Sequence, residues 1–161
     1  MTVTDITKDL QARTITVTAS FDAPVDAVWE LYADPRMLER WWGPPSHPTT
    51  VTEHSLVPGG AVRYVMTGPE GEKYHGYWSV REVQQPQLLV VEDGFADAEG
   101  NPSTSLPSSL MRISLAEEAG RTTLTAVTTF ASQEGLQQVL DTGVEDGTRQ
   151  AMDQMDDVLI G

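Results

Sequence analysis

The side chains in this sequence best suited to move a proton are three histidines, His47, His54 and His75, and two carboxylate groupings, Glu53 beside His54 and the pair Glu92-Asp93. Either grouping can act as a general base once a reacting group lies within hydrogen-bond reach. The pattern around them supplies little else that chemistry needs. No histidine has a second histidine or a carboxylate at the H-E-x-x-H spacing that sets metal ligands on one helix face, so no metal site is expected. No serine stands in a Gly-x-Ser-x-Gly elbow, and no phosphate-binding loop occurs. The chain has no cysteine, which excludes thiol nucleophiles, disulfides and thiolate metal sites. The sequence therefore assigns no catalytic residue and no cofactor, and favours binding over catalysis. An enzyme would need, in addition, a polar group of perturbed pKa inside a pocket.

Composition narrows the partners. The 161 residues are 39% hydrophobic and 21% charged, which fits one soluble domain over residues 1–161 with a sizeable core. A formal net charge of -14 opposes nucleic acid and anionic membranes, both of which recruit basic surface. The acid is densest over residues 92–99 and in the C-terminal third, where it either serves solubility or faces a basic protein partner. No apolar run approaches the roughly 20 residues that span a bilayer, and residues 1–11 carry no secretory pattern, so the expected location is the cytoplasm.

Hydrophobic periodicity marks out the elements that must position these groups. Residues 1–11 are polar and expected to fray. Residues 14–21 alternate as a half-buried strand, with Ile15, Val17, Ala19 and Phe21 on one face. Residues 22–45 hold two short helices. Asp22 is placed to cap the first, whose Val25, Val28, Trp29 and Tyr32 make one apolar stripe. Asp34-Pro35 starts the second, Met37, Leu38, Trp41 and Trp42 form its stripe, and Gly43-Pro44-Pro45 stops it.

From Thr49 the period changes to two. Strands are expected over residues 49–56, 61–67, 73–83, 88–92, 110–115 and 121–130, separated by Gly- and Pro-bearing turns. Residues 93–107 read as a long loop, of the length that often serves as a lid. Ser132 is placed to cap a short helix, Gly143 interrupts it, and a last helix over residues 144–159 would be about 24 Å long.

Seven strands, broken by a helical pair and closed by helices, define an α+β class with helices on one face of an antiparallel sheet. The first strand most simply returns to the sheet edge. The stretches RTITVTASFDAPVDAVWELYADPRMLERWW, PGGAVRYVMTGPEG, HGYWSV and QPQLLVVEDGF resemble the family of homologues of the activator of heat-shock protein ninety ATPase. That family belongs to the START-like, or SRPBCC, superfamily, which includes the birch-pollen allergen fold, and the resemblance covers residues 13–159. It implies a helix-grip fold: a curved seven-stranded sheet wraps the long C-terminal helix, leaves a cavity between them, and is closed at one end by the two short helices. As function it implies a small hydrophobic or amphipathic ligand, such as a lipid, in that cavity. Its alternatives are a chaperone-associated interaction module and a cyclase- or hydrolase-type enzyme.

Under that fold the strand phase directs Val62, Tyr64, Met66, Trp78, Val80, Leu89, Val91, Ile113, Leu115, Leu124, Ala126 and Phe130 inward, towards Gly147, Thr148, Ala151, Met152, Met155 and Leu159 of the last helix. The candidate cavity-lining residues are Trp42, Tyr64, Met66, Trp78, Val91, Phe95, Leu124, Gly147, Ala151 and Met152. Gly147 either leaves room for a ligand or admits a sheet side chain such as Trp78. Trp41 and Trp42 are adjacent and cannot face the same way, so one belongs to the core and the other to the pocket mouth or to solvent. Phe95 is placed to fold over the same mouth. His75, out of phase with Trp78, is expected to face solvent.

Overall fold

The change of period along the chain is carried directly into the fold, a computed structural model in which residues 3–103 and 108–160 are described. Its strands are β1 (Val3–Asp9), β2 (Thr14–Phe21), β3 (Thr49–His54), β4 (Ala61–Thr67), β5 (Lys73–Gln84), β6 (Leu88–Ala96), β7 (Ser109–Glu118) and β8 (Arg121–Phe130). Its helices are α1 (Val25–Ala33), α2 (Pro35–Trp41), α3 (Gln133–Asp141) and α4 (Val144–Ile160). All the strands pair antiparallel in one sheet, ordered β1-β2-β8-β7-β6-β5-β4-β3. The result is an α+β fold with one antiparallel sheet and a C-terminal helix, consistent with a helix grip.

The sheet has eight strands among the described residues, not the expected seven. The additional one is β1, formed by residues expected to fray, and it displaces β2 from the sheet edge. The turn that returns β1 onto β2 has no glycine or proline to announce it. Instead Arg13 takes a positive φ of 63° and the Asp9 carboxylate accepts the Ala12 N–H at 3.0 Å. Val3 is fully buried, and Lys8 reaches Glu145 of α4 at 3.4 Å.

The helical pair forms where its stripes predict, with one change of cap. Asp22 does not cap α1; it pairs with Arg121 at 2.9 Å, and the Val25 N–H is taken by the Glu117 carboxylate of β7 at 2.7 Å. Asp34 caps α2 as expected, accepting the Arg36 N–H at 2.8 Å with Pro35 in the first turn. Val28, Trp29, Leu31, Tyr32, Leu38 and Trp41 are buried against the sheet. Met152, Met155 and Val158 of α4 enter the same core, and the Gln154 side chain donates to the Gly43 carbonyl at 2.9 Å, tying α4 to the stop after α2.

The expected loop over residues 93–107 begins later than its composition suggests. β6 continues through Asp93, Gly94, Phe95 and Ala96, paired to β5. Gly94, which reads as a loop residue, stays in the strand because the Tyr77 ring lies over it; a Cβ there would sit 2.8 Å from Tyr77 Cε1. Asp97 then closes a turn by accepting the N–H groups of Glu99 and Asn101, and Pro102 bridges back to Ala96. The rest of the expected loop, residues 104–107, lies outside the described residues.

Candidate functional site: a carboxyl beside an aromatic cluster

Period two sends Asp93 to the inner face of the sheet, where its register partners are Trp78 on β5 and Ser109 on β7. Its carboxylate accepts a hydrogen bond from the Tyr64 hydroxyl at 3.0 Å. Tyr64 reaches it by lying across Gly76, where a Cβ would sit 2.4 Å from its ring. A strand glycine that admits an aromatic ring from its neighbour is thus what sets this pair. Burial pushes the Asp93 carboxyl up to about 7, against opposing hydrogen bonds from Tyr64 and the Gly94 N–H. The Tyr64 hydroxyl is raised first by burial and then by the Asp93 charge.

Four further rings extend from the pair as a connected cluster. Trp42 packs edge-on against Tyr64 with centroids 5.8 Å apart and against Trp78 at 5.1 Å. Trp41 packs edge-on against both Trp42 and Tyr32. Trp41 donates its indole N–H to the Leu31 carbonyl at 2.8 Å, whereas the N–H groups of Trp42 and Trp78 are buried without a partner. The Trp42 N–H lies close enough to the Tyr64 oxygen to favour its ionised form, yet makes no hydrogen bond of ordinary geometry. A few buried donors in an otherwise apolar wall are what orient a small ligand.

On the opposite face the geometry is repeated with the reverse electrostatics. Tyr77 donates to Glu92 at 2.8 Å and Arg81 pairs with the same carboxylate. The Tyr77 hydrogen bond, with help from Arg81, holds Glu92 below the usual carboxylate range. Burial and the Glu92 hydrogen bond push the Tyr77 hydroxyl up to about 12.

The predicted lining residues divide accordingly. Trp42, Tyr64 and Trp78 meet around Asp93, with Trp41 in the core and Trp42 half-buried. Met66 is half-buried near Gly43, and Phe95 is 49% exposed. Val91, Ala151 and Met152 are buried, and Leu124 sits between Ala19 and Leu115, in another part of the core. Gly147 does not admit Trp78: a Cβ there would meet nothing within 4 Å.

Phe95 also lines the larger recess, of about 520 Å³, with Lys73, Tyr74, His75, Ala96, Ala98 and Ser103. It is two residues from Asp93 on the same face of β6. A smaller recess of about 180 Å³ lies among Arg63, Val65, His75 and Gly100.

The histidines do not join the Asp93 cluster. His47 lies 2.7 Å from Ser46 and 3.9 Å from Glu72, and His54 contacts the Tyr32 carbonyl at 3.0 Å. Half-buried His75 lines both recesses. Among the described residues no three His, Cys, Asp or Glu side chains converge as metal ligands, and no helix is long and apolar enough to cross a membrane. Sequence reasoning names the Glu92-Asp93 pair as a possible general base near the presumed rim, but does not count Asp93 among the lining residues, because it ends β6 too early. The Val91, Asp93, Phe95 alternation was the available signal.

Comparison with known proteins follows the same lines. A search of curated proteins returned no match. Protein Ms6760 from Mycobacterium smegmatis is 53% identical, with a TM-score of 0.89 over 98% of this chain and 96% of that one. A protein from Arthrobacter aurescens is 41% identical, with a TM-score of 0.93 over 98% and 92%. An AHSA1 protein from Silicibacter pomeroyi, at 20% identity, shares the fold with a TM-score of 0.70 over 91% and 97%. The family model described as Activator of Hsp90 ATPase homolog 1-like protein matches residues 22–159, nearly the whole span of the fold, and the chain belongs to that family.

Proposed function

We propose that this protein binds a small hydrophobic or amphipathic molecule, its apolar body against the aromatic cluster and its polar end at the Asp93–Tyr64 pair. The observation that carries this reading is the pair of indole N–H groups, Trp42 Nε1 and Trp78 Nε1, buried without a hydrogen-bond partner. A buried unpaired donor costs roughly 1–3 kcal/mol. A ligand oxygen seated against these donors recovers that cost and fixes the ligand's orientation. Met66, Val91, Phe95, Gly147, Ala151 and Met152 are the remaining candidates for the apolar wall.

Thermal shift and tryptophan fluorescence against fatty acids, aromatic ketones and aromatic acids test the proposal. Ligands with an acceptor oxygen should raise Tm and quench fluorescence, and Trp78→Phe, which keeps a ring but removes the N–H, should weaken them about 10-fold. Equal affinity for the matching hydrocarbons would remove the role of the N–H groups. No binding across the panel would sink the reading.

A second reading, contact with a chaperone, is favoured by the family description and by the net charge of -14, which suits a basic partner surface. Stimulation of a chaperone ATPase by the added chain would support it, and an unchanged rate would oppose it.

A further inference from the structure

We propose that Asp93 is the general base of a proton-transfer site for ketones, removing a proton from the carbon next to a carbonyl whose oxygen is held by the Trp42 and Trp78 N–H groups. This rests on the ligand-binding reading and adds a reaction to it.

Three observations lie along the inner face around β6. A carboxyl group stands on the inner face beside Trp78 and is held by the Tyr64 hydroxyl at 3.0 Å. Two buried N–H donors with no partner belong to rings packed 5.1 Å apart in the same cluster. A recess of about 520 Å³, lined by Phe95 with Tyr74, His75 and Ala96 and not by Asp93 or the two indoles, opens two residues along the same face of β6. A carboxylate in an apolar setting, facing preorganised donors for a developing oxyanion, is what enolisation requires.

The step balances within the substrate and Asp93. The C–H bond breaks and its proton passes to the carboxylate. The released electron pair becomes the carbon–carbon π bond of an enolate, and the carbonyl π pair moves to oxygen, which accepts from the two indole N–H groups. When the Asp93 proton is first replaced by a solvent deuteron, its delivery to the same carbon gives exchange; delivery of the proton to a more distant carbon of an enone gives isomerisation. No oxidant, reductant or second substrate is needed.

The raised pKa of Asp93 supports this role, since a base poised near neutrality is both deprotonated and strong enough to act. Tyr64 from β4 is the titratable group in contact with it among the described residues. Its other inner-face neighbours, Trp78 and Ser109, do not ionise, and Glu92 and Tyr77 lie on the opposite face. Tyr64 is a positioning residue.

The test is proton NMR of acetophenone and tetralone in deuterium oxide with the full chain, with binding of each followed by tryptophan fluorescence. The expected result is loss of the α-proton signal about 10²-fold or more faster than in buffer, with a rate that rises with pH and levels off above about 7. Asp93→Asn should bind the ketone and lose the exchange, Glu92→Gln should exchange like the wild type, and Tyr64→Phe should shift the pH profile. Ketone bound without faster exchange, or Asp93→Asn as active as the wild type, overturns proton transfer and leaves ligand binding standing. If Asp93→Asn does not fold, a wild-type rate without the inflection near neutrality overturns it as well. Absence of any ketone binding overturns proton transfer, while the ligand-binding reading falls only if the fatty acids and aromatic acids fail to bind as well.

Discussion

Glu92 and Asp93 are consecutive residues of β6 whose carboxyl groups lie on opposite faces of the sheet, one held below and the other raised above the usual carboxylate range. The strand period alone separates them. Glu92 meets a tyrosine hydroxyl and a guanidinium on the outer face, where hydrogen bonds stabilise its charge. Asp93 meets one hydroxyl and an aromatic wall, where burial outweighs the hydrogen bonds it accepts. Neighbouring carboxyls pushed apart in this way titrate in different pH ranges.

The first prediction follows by linkage. The folded-state pKa of Asp93, about 7, lies above the value of about 3.9 expected unfolded, so the folded chain holds the extra proton between them. Stability therefore falls as pH rises from about 4 through about 7, the reverse of the usual behaviour of a paired carboxylate. Asp93→Asn does not titrate and should be more stable than the wild type at pH about 8, by about 1–2 kcal/mol after allowing for partial solvent access, with the gap closing towards pH about 4. Urea unfolding across that range checks it. A gap independent of pH would show that Asp93 is not raised.

The second prediction concerns the glycines that admit the two tyrosines. A methyl at Gly76 meets the Tyr64 ring at 2.4 Å, and one at Gly94 meets Tyr77 at 2.8 Å. Each ring is wedged over a strand and has little room to retreat. Gly76→Ala and Gly94→Ala should each cost about 1–3 kcal/mol by overpacking, despite the better strand propensity of alanine. Gly76→Ala should also break the Tyr64–Asp93 hydrogen bond, which opposes the effect of burial, and so move the Asp93 titration further up, visible by carboxyl NMR. Gly94→Ala should leave it in place.

Much of this was legible in the sequence, and the failures have physical causes. The period-two runs place Val62, Trp78, Leu89 and Ile113 on the buried face, as found, because alternation survives wherever one face is buried. The Asp34-Pro35 start and the Ser132 cap of α3 hold because each is a local bond between near neighbours. β1 was not legible: VTDITKD has too little apolar alternation, and its pairing depends on an exposed edge of β2. Asp22 fails as a cap because the acceptor comes from Glu117, 92 residues away, a partner no local pattern reveals. The site itself was half legible. Its rings follow from strand phase and the Trp-Trp stop, but Asp93 needed the knowledge that Tyr77 holds Gly94 in the strand.

The Glu117 contact supplies a third prediction. It accepts the first N–H of α1 at 2.7 Å and sets a negative charge at the helix N-terminus, where the dipole favours one. Glu117→Ala removes both effects and should cost about 1 kcal/mol, the usual value of a lost N-terminal cap. Glu117→Gln retains an acceptor oxygen and should recover part of it. Chemical denaturation of both variants decides the matter, and equal stability of wild type and Glu117→Ala would show that the contact adds nothing.

The last prediction separates stability from binding at Gly147. This residue lies in the first turns of α4, and a Cβ built on it finds open space to 4 Å. Its backbone has no positive φ that would require glycine, unlike Gly143 at 80°. Alanine there restricts the unfolded chain and favours the helix, so Gly147→Ala should raise stability by about 0.5–1 kcal/mol. If the open space beside α4 is part of the ligand site, the added methyl should also lower affinity for the larger ligands of the binding panel while sparing the small ones. Tm and affinity measured on the same variant distinguish the cases: a gain in Tm with unchanged affinity for every ligand would remove Gly147 from the site and confine binding to the Asp93 end of the sheet.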